Sequence, residues 1–308
     1  MSCSLYSKAG KFMITVMCCA VSFKGYSQSL SKTAALLDPS ATSFYQNQYL
    51  ANPAMAGIDT GWHFNAAYRG QINGIDGAPK TKFFSADGYV GSRVGAGLNI
   101  FSDEAGLLTR TRVAGTYAYH LPLNDNGARL NFGLSLALNF QRLDYSKING
   151  DPSDPAAAAF NRRDDYFEAD FGMAYTNNHW TAQASLPNIR ATFSGNSYPG
   201  VDGGTIFFSA LSYKFDLDGA VSSVEPKACY RTIKGYDDIV DLGVNVGFLH
   251  NVANLTALYH TTGSFAFGAG VYILNTVRLN AFYNTQTTGL KNYTDGTYEV
   301  GLTVNLFK

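Results

Sequence analysis

The segment from Arg129 to Leu143 alternates between apolar and small or polar residues without interruption. Leucine or phenylalanine occupies every even position from 130 to 140, whereas the odd positions hold asparagine, glycine, serine, alanine and glutamine. A period of two places successive side chains on opposite faces of a β-strand. About 9–11 tilted residues are enough for a strand to cross a bilayer. One apolar face and one polar face therefore predict a barrel wall strand between lipid and a polar lumen.

The same pattern recurs from residue 62 to residue 307 and predicts fourteen strands. Their approximate ranges are 62–69, 83–90, 94–101, 109–121, 129–143, 167–176, 180–186, 205–215, 221–231, 239–249, 254–260, 265–273, 277–286 and 298–307. Short turns alternate with longer loops, the longer ones being 70–82, 144–166, 187–204 and 287–297. This asymmetry is typical of outer-membrane barrels. We therefore expect an all-β fold, a transmembrane outer-membrane barrel of about 14 antiparallel strands, with both chain ends on the periplasmic side.

Residues 1–27 have the features of a secretory signal peptide, with Lys8 and Lys11 before the apolar run 12–23. Cleavage is expected after Ser27, with a lipoprotein signal at Cys18 or Cys19 as the alternative. Removal of this segment lowers the basic side chains from 23 to 20, against 23 acidic ones. A chain without a polybasic face is not expected to bind nucleic acid. The single remaining cysteine, Cys229, excludes an internal disulfide in the mature chain.

Residues 28–61 show no strand period and predict an N-terminal arm that precedes the barrel domain at 62–308. Proline at 39 and 53 and glycine at 57 interrupt the segment. Its apolar content is too high for a solvated linker, as seen in Phe44, Tyr45, Tyr49, Leu50 and Met55. The arm should therefore pack, either over one mouth of the barrel or as a plug inside the lumen.

Charged residues of both signs collect on the parity that faces the lumen. A charge facing lipid at the bilayer midplane would cost about 2–4 kcal/mol, so this segregation supports a polar interior. The charges are expected to pair across the lumen, with a path for solutes as the alternative. The residues concerned are Arg69, Arg110, Arg112, Glu168, Asp170, Asp241, Arg278 and Glu299.

No motif indicates catalysis, a cofactor or a metal site. The histidines at 63, 120, 179, 250 and 260 lack H-x-x-x-H spacing, and no G-x-S-x-G occurs. The chain is therefore expected not to be an enzyme, although a lipid-modifying barrel enzyme using His120 or His260 is an alternative. In the longest loop, Asp151, Asp154, Asp164 and Asp165 could bind calcium but lack D-x-D-x-D-G spacing, so a solvated acidic loop is preferred.

Four short motifs resemble the PorP/SprF family of Bacteroidetes outer-membrane proteins. They are Asn52-Pro53-Ala54-Met55-Ala56-Gly57 in the arm, Tyr68-Arg69-Gly70-Gln71 closing the first strand, Gly77-Ala78-Pro79-Lys80-Thr81 in the first outer loop, and Asp103-Glu104-Ala105-Gly106 in the predicted second outer loop. In the family a tryptophan usually follows the arginine-x-glutamine, but Ile72 stands here. We expect Asn52, Pro53, Ala54 and Gly57 to fix the arm. Arg69, Gln71, Pro79 and Asp103 are expected to organise an outer vestibule.

The resemblance implies an outer-membrane barrel of the type IX secretion and gliding motility system. It implies three kinds of partner: a secreted adhesin or other type IX cargo, periplasmic or outer-membrane secretion components, and outer-membrane lipid. The alternatives are a passive channel for small solutes and, on fold, a soluble double sandwich.

Overall fold

A computed structural model of the chain describes residues 43–71, 77–144, 166–189, 206–233, 238–261, 263–273, 276–285 and 296–307. The predicted signal peptide, the first part of the arm and the acidic residues of the longest loop lie outside these residues.

Fourteen antiparallel wall strands form one closed barrel, as predicted from the alternation. The strand segments are β1 Trp62–Gln71, β2 Lys80–Gly91, β3 Val94–Ala105, β4 Leu108–Pro122, β5 Arg129–Leu143, β6 Tyr166–Thr176, β7 Trp180–Leu186, β8 Ile206–Tyr213, β9 Phe215–Asp216, β10 Val221–Ile233, β11 Ile239–Phe248, β12 Ala253–His260, β13 Ser264–Ile273, β14 Val277–Asn284 and β15 Thr297–Leu306. The short β9 continues β8, because both pair with β10 in the same register. A soluble double sandwich is therefore wrong.

The barrel closes where the first strand meets the last. β1 pairs with β15 along its whole length, from Trp62 opposite Leu306 to Gln71 opposite Thr297. At the far side, β10 pairs with both β8 and β11, so no wall strand is left with an open edge. Closure removes the unpaired backbone groups that lipid could not satisfy.

The two faces of the wall have the polarity of a membrane barrel. On β5, Leu134, Leu136 and Leu138 point outward and are exposed, whereas Ser135 and Ala137 point inward and are buried. A water-soluble protein would place the leucines inside. The exposed apolar band is the surface that contacts lipid. The alternation in the sequence therefore corresponds to one lipid-facing side and one lumen-facing side of the wall.

The second outer connection differs from the prediction. β3 extends to Ala105 and β4 begins at Leu108, so Asp103 lies in a strand rather than in a loop. The outward side chains Lys82 and Glu104 form an ion pair of 2.8 Å on this upper part of the wall. The prediction ended the strand too early because the outward residues become polar here, although the backbone pairing of β3 with β4 continues to Ala105.

The described part of the arm lies inside the barrel, against inward-facing side chains. It consists of α1 (Ser43–Gln46) and two 3₁₀ turns, Gln48–Leu50 and Pro53–Met55. These residues form a plug in the half of the lumen next to the short turns, not a cover over the mouth. In the described part of the chain, no helix has the length and hydropathy that a membrane-spanning helix needs.

Candidate functional site

The arm motif Asn52–Gly57 forms a compact capped turn. Asn52 is extended, and its side-chain oxygen accepts a hydrogen bond of 2.9 Å from the Ala54 N–H. Pro53 occupies the first position of the 3₁₀ turn, where a missing N–H costs nothing. Gly57 ends the motif with a φ of +64°, a left-handed conformation that glycine adopts without strain. The residue order of the motif therefore accounts for its local conformation.

Asn52 also joins this turn to the barrel wall. Its side chain is fully buried, and its Nδ2 donates to the carbonyl of Met173 at 3.0 Å and to that of Ala184 at 3.3 Å. These two residues are opposite each other on β6 and β7. One amide therefore caps the arm turn and binds two neighbouring strands.

Further hydrogen bonds fasten the arm along its length to one side of the barrel. The Gly57 N–H donates to Asp87 at 2.9 Å, and the Ser185 hydroxyl donates to the Ala51 carbonyl at 2.6 Å. Other hydrogen bonds of the arm join Asn47 to Ser85, Tyr49 to Thr116, Gln183 to Gln48, His120 Nε2 to the Ala56 carbonyl, and Arg129 to the Ile58 carbonyl. The described arm residues thus bond to β2, β4, β5, β6 and β7.

Four glycines on lumen-facing positions let the arm pack directly on the wall, and we call them the arm-contact glycines: Gly95, Gly97, Gly133 and Gly172. A Cβ at Gly95 would overlap the Ala56 carbonyl, and one at Gly133 would overlap the backbone of Pro53 and Ala54. At Gly172 it would overlap the Asn52 side chain, and at Gly97 it would crowd the Tyr49 ring at 2.7 Å. Gly133 and Gly172 are opposite each other on β5 and β6. These glycines are therefore required by the close approach of the arm.

Aromatic side chains complete the arm contact. Phe44 packs edge-on against Phe208 at 5.2 Å between ring centroids, and the Lys227 ammonium lies 4.7 Å above the Phe44 ring. The Tyr49 hydroxyl is 2.6 Å from Thr116 Oγ1, and burial raises the pKa of this phenol. Tyr49 is therefore neutral at physiological pH and can donate its proton to Thr116.

One buried charge cluster is centred on Arg112. Its guanidinium contacts Glu168 at 3.5 Å and forms an ion pair with Asp170, both on β6. Asp170 also accepts a hydrogen bond of 2.9 Å from the Asn188 N–H, at the start of an outer loop. All three charged side chains are buried, so each depends on the others for compensation.

The predicted vestibule residues are brought together in part. Arg69 pairs with Glu299 at 3.2 Å, while Asp103 accepts a hydrogen bond of 2.9 Å from Thr81. Asp103 also interacts electrostatically with Arg110 and Arg69, which connects these side chains at the outer end of the lumen. Pro79 is exposed immediately before β2. Gln71 ends β1 opposite Thr297, and its side chain lies outside the described residues.

A third charged group lies on the opposite side of the barrel. Asp241 accepts from Arg231 at 2.8 Å and lies 2.7 Å from His260 Nδ1. Arg278 donates to the Asn254 amide oxygen at 2.6 Å and lies 5.2 Å above the Tyr272 ring.

Neighbouring strands, rather than opposite sides of the lumen, supply the ion-pair partners. Arg69 and Glu299 are on adjacent strands, as are Arg231 and Asp241, and Arg112 reaches only from β4 to β6. The expectation of pairing across the lumen is therefore wrong for these pairs. In a 14-stranded barrel the wall curves gently, so side chains of nearby strands meet before those across the diameter.

The roles of the arm-contact glycines and of Arg231 were not predicted from the sequence. The available signal was glycine on the inward parity of β5 and β6, where other inward positions carry side chains. Among the described residues, no three His, Cys, Asp or Glu side chains are arranged to hold a metal ion.

Comparisons with known proteins agree with this architecture. The family model described as "Type IX secretion system membrane protein PorP/SprF" matches residues 33–304. The toluene transporter TbuX of Ralstonia pickettii superposes with a TM-score of 0.53 at 12% identity, over 83% of this chain and 92% of that one. Omp33 of Acinetobacter baumannii gives 0.48 at 8% identity, over 81% and 100%. No curated protein matches the chain significantly. The likeness to TbuX shows the fold alone.

Proposed function

The chain belongs to the PorP/SprF family of type IX secretion system membrane proteins, and on that premise we propose that it works by binding proteins. It is an outer-membrane β-barrel. The proposed ligands are a secreted adhesin or other type IX cargo at the outer loops and lumen, and secretion components at the periplasmic turns. Binding would support export of the cargo or its attachment to the cell surface, including in gliding motility.

The observation that carries this proposal is the arm in the lumen. Its backbone and side chains contact the arm-contact glycines, and its polar groups are bonded to five strands. A wall built around such close contact favours a plugged barrel over an open pore. A plugged barrel serves as a platform for partners at its two ends.

A catalytic role is not proposed, because the candidate histidines have structural contacts. His120 is buried and bonds to both the Ala56 carbonyl and the Asn131 side chain. His260 is buried against Asp241. Conversion of either to glutamine is expected to leave secretion-dependent surface display intact whenever the barrel still assembles.

Affinity purification of the tagged, full-length protein from detergent-solubilised outer membranes of its own cells tests the binding function. Mass spectrometry of the eluate should identify type IX components or a large secreted adhesin. Recovery of the barrel alone would contradict the proposal.

Planar bilayer recording distinguishes the channel alternative. The wild-type barrel should show almost no conductance, whereas Gly133→Val, which displaces the arm, should raise it. High wild-type conductance that Gly133→Val does not change would favour the channel.

A further inference from the structure

Two neighbouring turns at the periplasmic end expose apolar side chains, and we call residues 217–220 and 249–252 the periplasmic knob. Leu217 is 47% exposed and Leu249 is 63% exposed, and Val252 is exposed beside them. The two turns are joined by a hydrogen bond of 3.2 Å from the Leu249 N–H to the Ala220 carbonyl. The knob therefore combines apolar residues from two connections in one surface feature.

The backbone of the second turn is unusual. Leu249, His250 and Asn251 have φ values of +51°, +58° and +63°. A left-handed conformation is uncommon for residues other than glycine, and for a bulky residue it is an outlier. Three in succession make this turn strained, and such strain persists only where surrounding contacts impose it, often at functional positions.

Specific contacts impose this conformation. The His250 N–H donates to Ser222 Oγ at 2.6 Å, and the Ser223 hydroxyl donates to Asn251 Oδ1 at 2.6 Å. The Asn251 side chain lies over Gly247, where any Cβ would overlap it. The turn is therefore held in one shape that presents Leu249 to the surroundings.

Lipid does not account for the exposed leucines. Trp180 packs against Tyr213 at 4.7 Å, and Tyr213 against Phe215 at 4.5 Å, on the outer face at this end of the barrel. Aromatic side chains in this arrangement mark the membrane interface. β9 ends at Asp216, and Leu217 is the next residue along the chain. The knob consequently lies on the periplasmic side of that interface.

The charge beside the knob is acidic. Asp216 pairs with Lys214 at 2.9 Å, whereas Asp218 is exposed and has no ion pair among the described residues. A complementary surface would be apolar at its centre and basic at its edge.

From these features we propose that the knob docks a periplasmic protein that presents an apolar pocket with a basic rim. This inference rests on the proposed binding function and assigns its periplasmic contact. Leu249 and Leu217 enter the pocket, and Asp218 faces the basic rim.

Site-specific photo-crosslinking of the full-length protein in its own cells tests the knob. A photoreactive residue is introduced at position 249 and, as a matched control, at position 123, where Leu123 is 52% exposed in the turn between β4 and β5. The expected result is an adduct from position 249, not 123, to a periplasmic secretion component at an apolar site beside a lysine or arginine. Adducts to lipid only, or equal protein adducts from both positions, would contradict the proposal that the knob docks a periplasmic protein.

Substitution provides the second readout. Leu249→Asn removes the apolar side chain and suits the left-handed backbone, so the barrel should still assemble and keep its heat-dependent shift on gels. Co-purification of the periplasmic component should fall at least tenfold, and Asp218→Lys should weaken it more at low than at high salt. Undiminished co-purification with Leu249→Asn would contradict the docking role of the knob but leave the proposed function standing. Absence of every secretion component from the wild-type eluate would overturn both.

Discussion

Substitution of Asn52 by alanine is expected to loosen the arm while leaving the barrel closed. The change removes two hydrogen bonds to strand carbonyls and the cap on Ala54. Each net hydrogen bond contributes about 0.5–1.5 kcal/mol, and loss of an asparagine cap costs about 1 kcal/mol. The free energy of arm opening should therefore fall by about 2–4 kcal/mol. Since 1.4 kcal/mol is a factor of ten, opening becomes roughly 30-fold to 1,000-fold more frequent.

Hydrogen exchange with mass spectrometry measures this opening directly in detergent-solubilised protein. Peptides that cover residues 52–57 should exchange faster by that factor, while peptides from β5 and β6 should be unchanged. Asn47→Ala is the matched control, because it removes one arm bond of 2.8 Å, to Ser85. It should accelerate exchange only about fivefold, the equivalent of about 1 kcal/mol.

Two results would refute this reasoning. In the first, exchange of the arm in Asn52→Ala stays within threefold of wild type, so that the buried amide adds little to docking. In the second, β5 and β6 lose protection together with the arm, so that arm and wall form one cooperative unit.

Three further substitutions test other parts of the structure. Gly133→Val should displace the arm and expose it to added protease, whereas Gly115→Val, at a position with no atom near its Cβ, should not; equal cleavage would contradict the contact. Arg112→Met leaves two buried carboxylates uncompensated and should destabilise the barrel by about 3–5 kcal/mol in urea unfolding; a loss below 1 kcal/mol would show that the cluster is well hydrated. Leu136→Arg places a charge on the lipid face and should cost about 2–4 kcal/mol in the same assay; a neutral effect would mean that Leu136 does not face lipid.

The wall could be predicted from the sequence because lipid and lumen impose opposite demands on successive residues. Strand β5 shows this most clearly, with bounds at Arg129 and Leu143 as predicted. The prediction failed at the outer end of β3, where Ser102 and Glu104 face outward above the lipid. Polar residues are allowed there, so the alternation disappears while the strand continues to Ala105.

The position of the arm could not be read from the sequence. Its composition predicted packing, but the choice between mouth and lumen depends on glycines in three separate strands. Gly133 and Gly172 are contact positions only because β5 and β6 pair in one register. A single sequence does not reveal that register. The vestibule was predicted in part, because charged residues of both signs on the lumen-facing parity are expected to pair. Which residues pair depends on the curvature of the wall, which the sequence does not reveal.

The connection between arm and barrel has a consequence for any molecule that competes with the plug. Only residues 58–61 separate the arm motif from β1, a span of at most about 14 Å when extended. A released arm therefore stays beside its own binding surface at an effective concentration in the millimolar range or above. To keep the arm out, a competitor must have a higher ratio of concentration to dissociation constant than the tethered arm has. When it leaves, the tethered arm returns without help, so the barrel reseals itself after each opening.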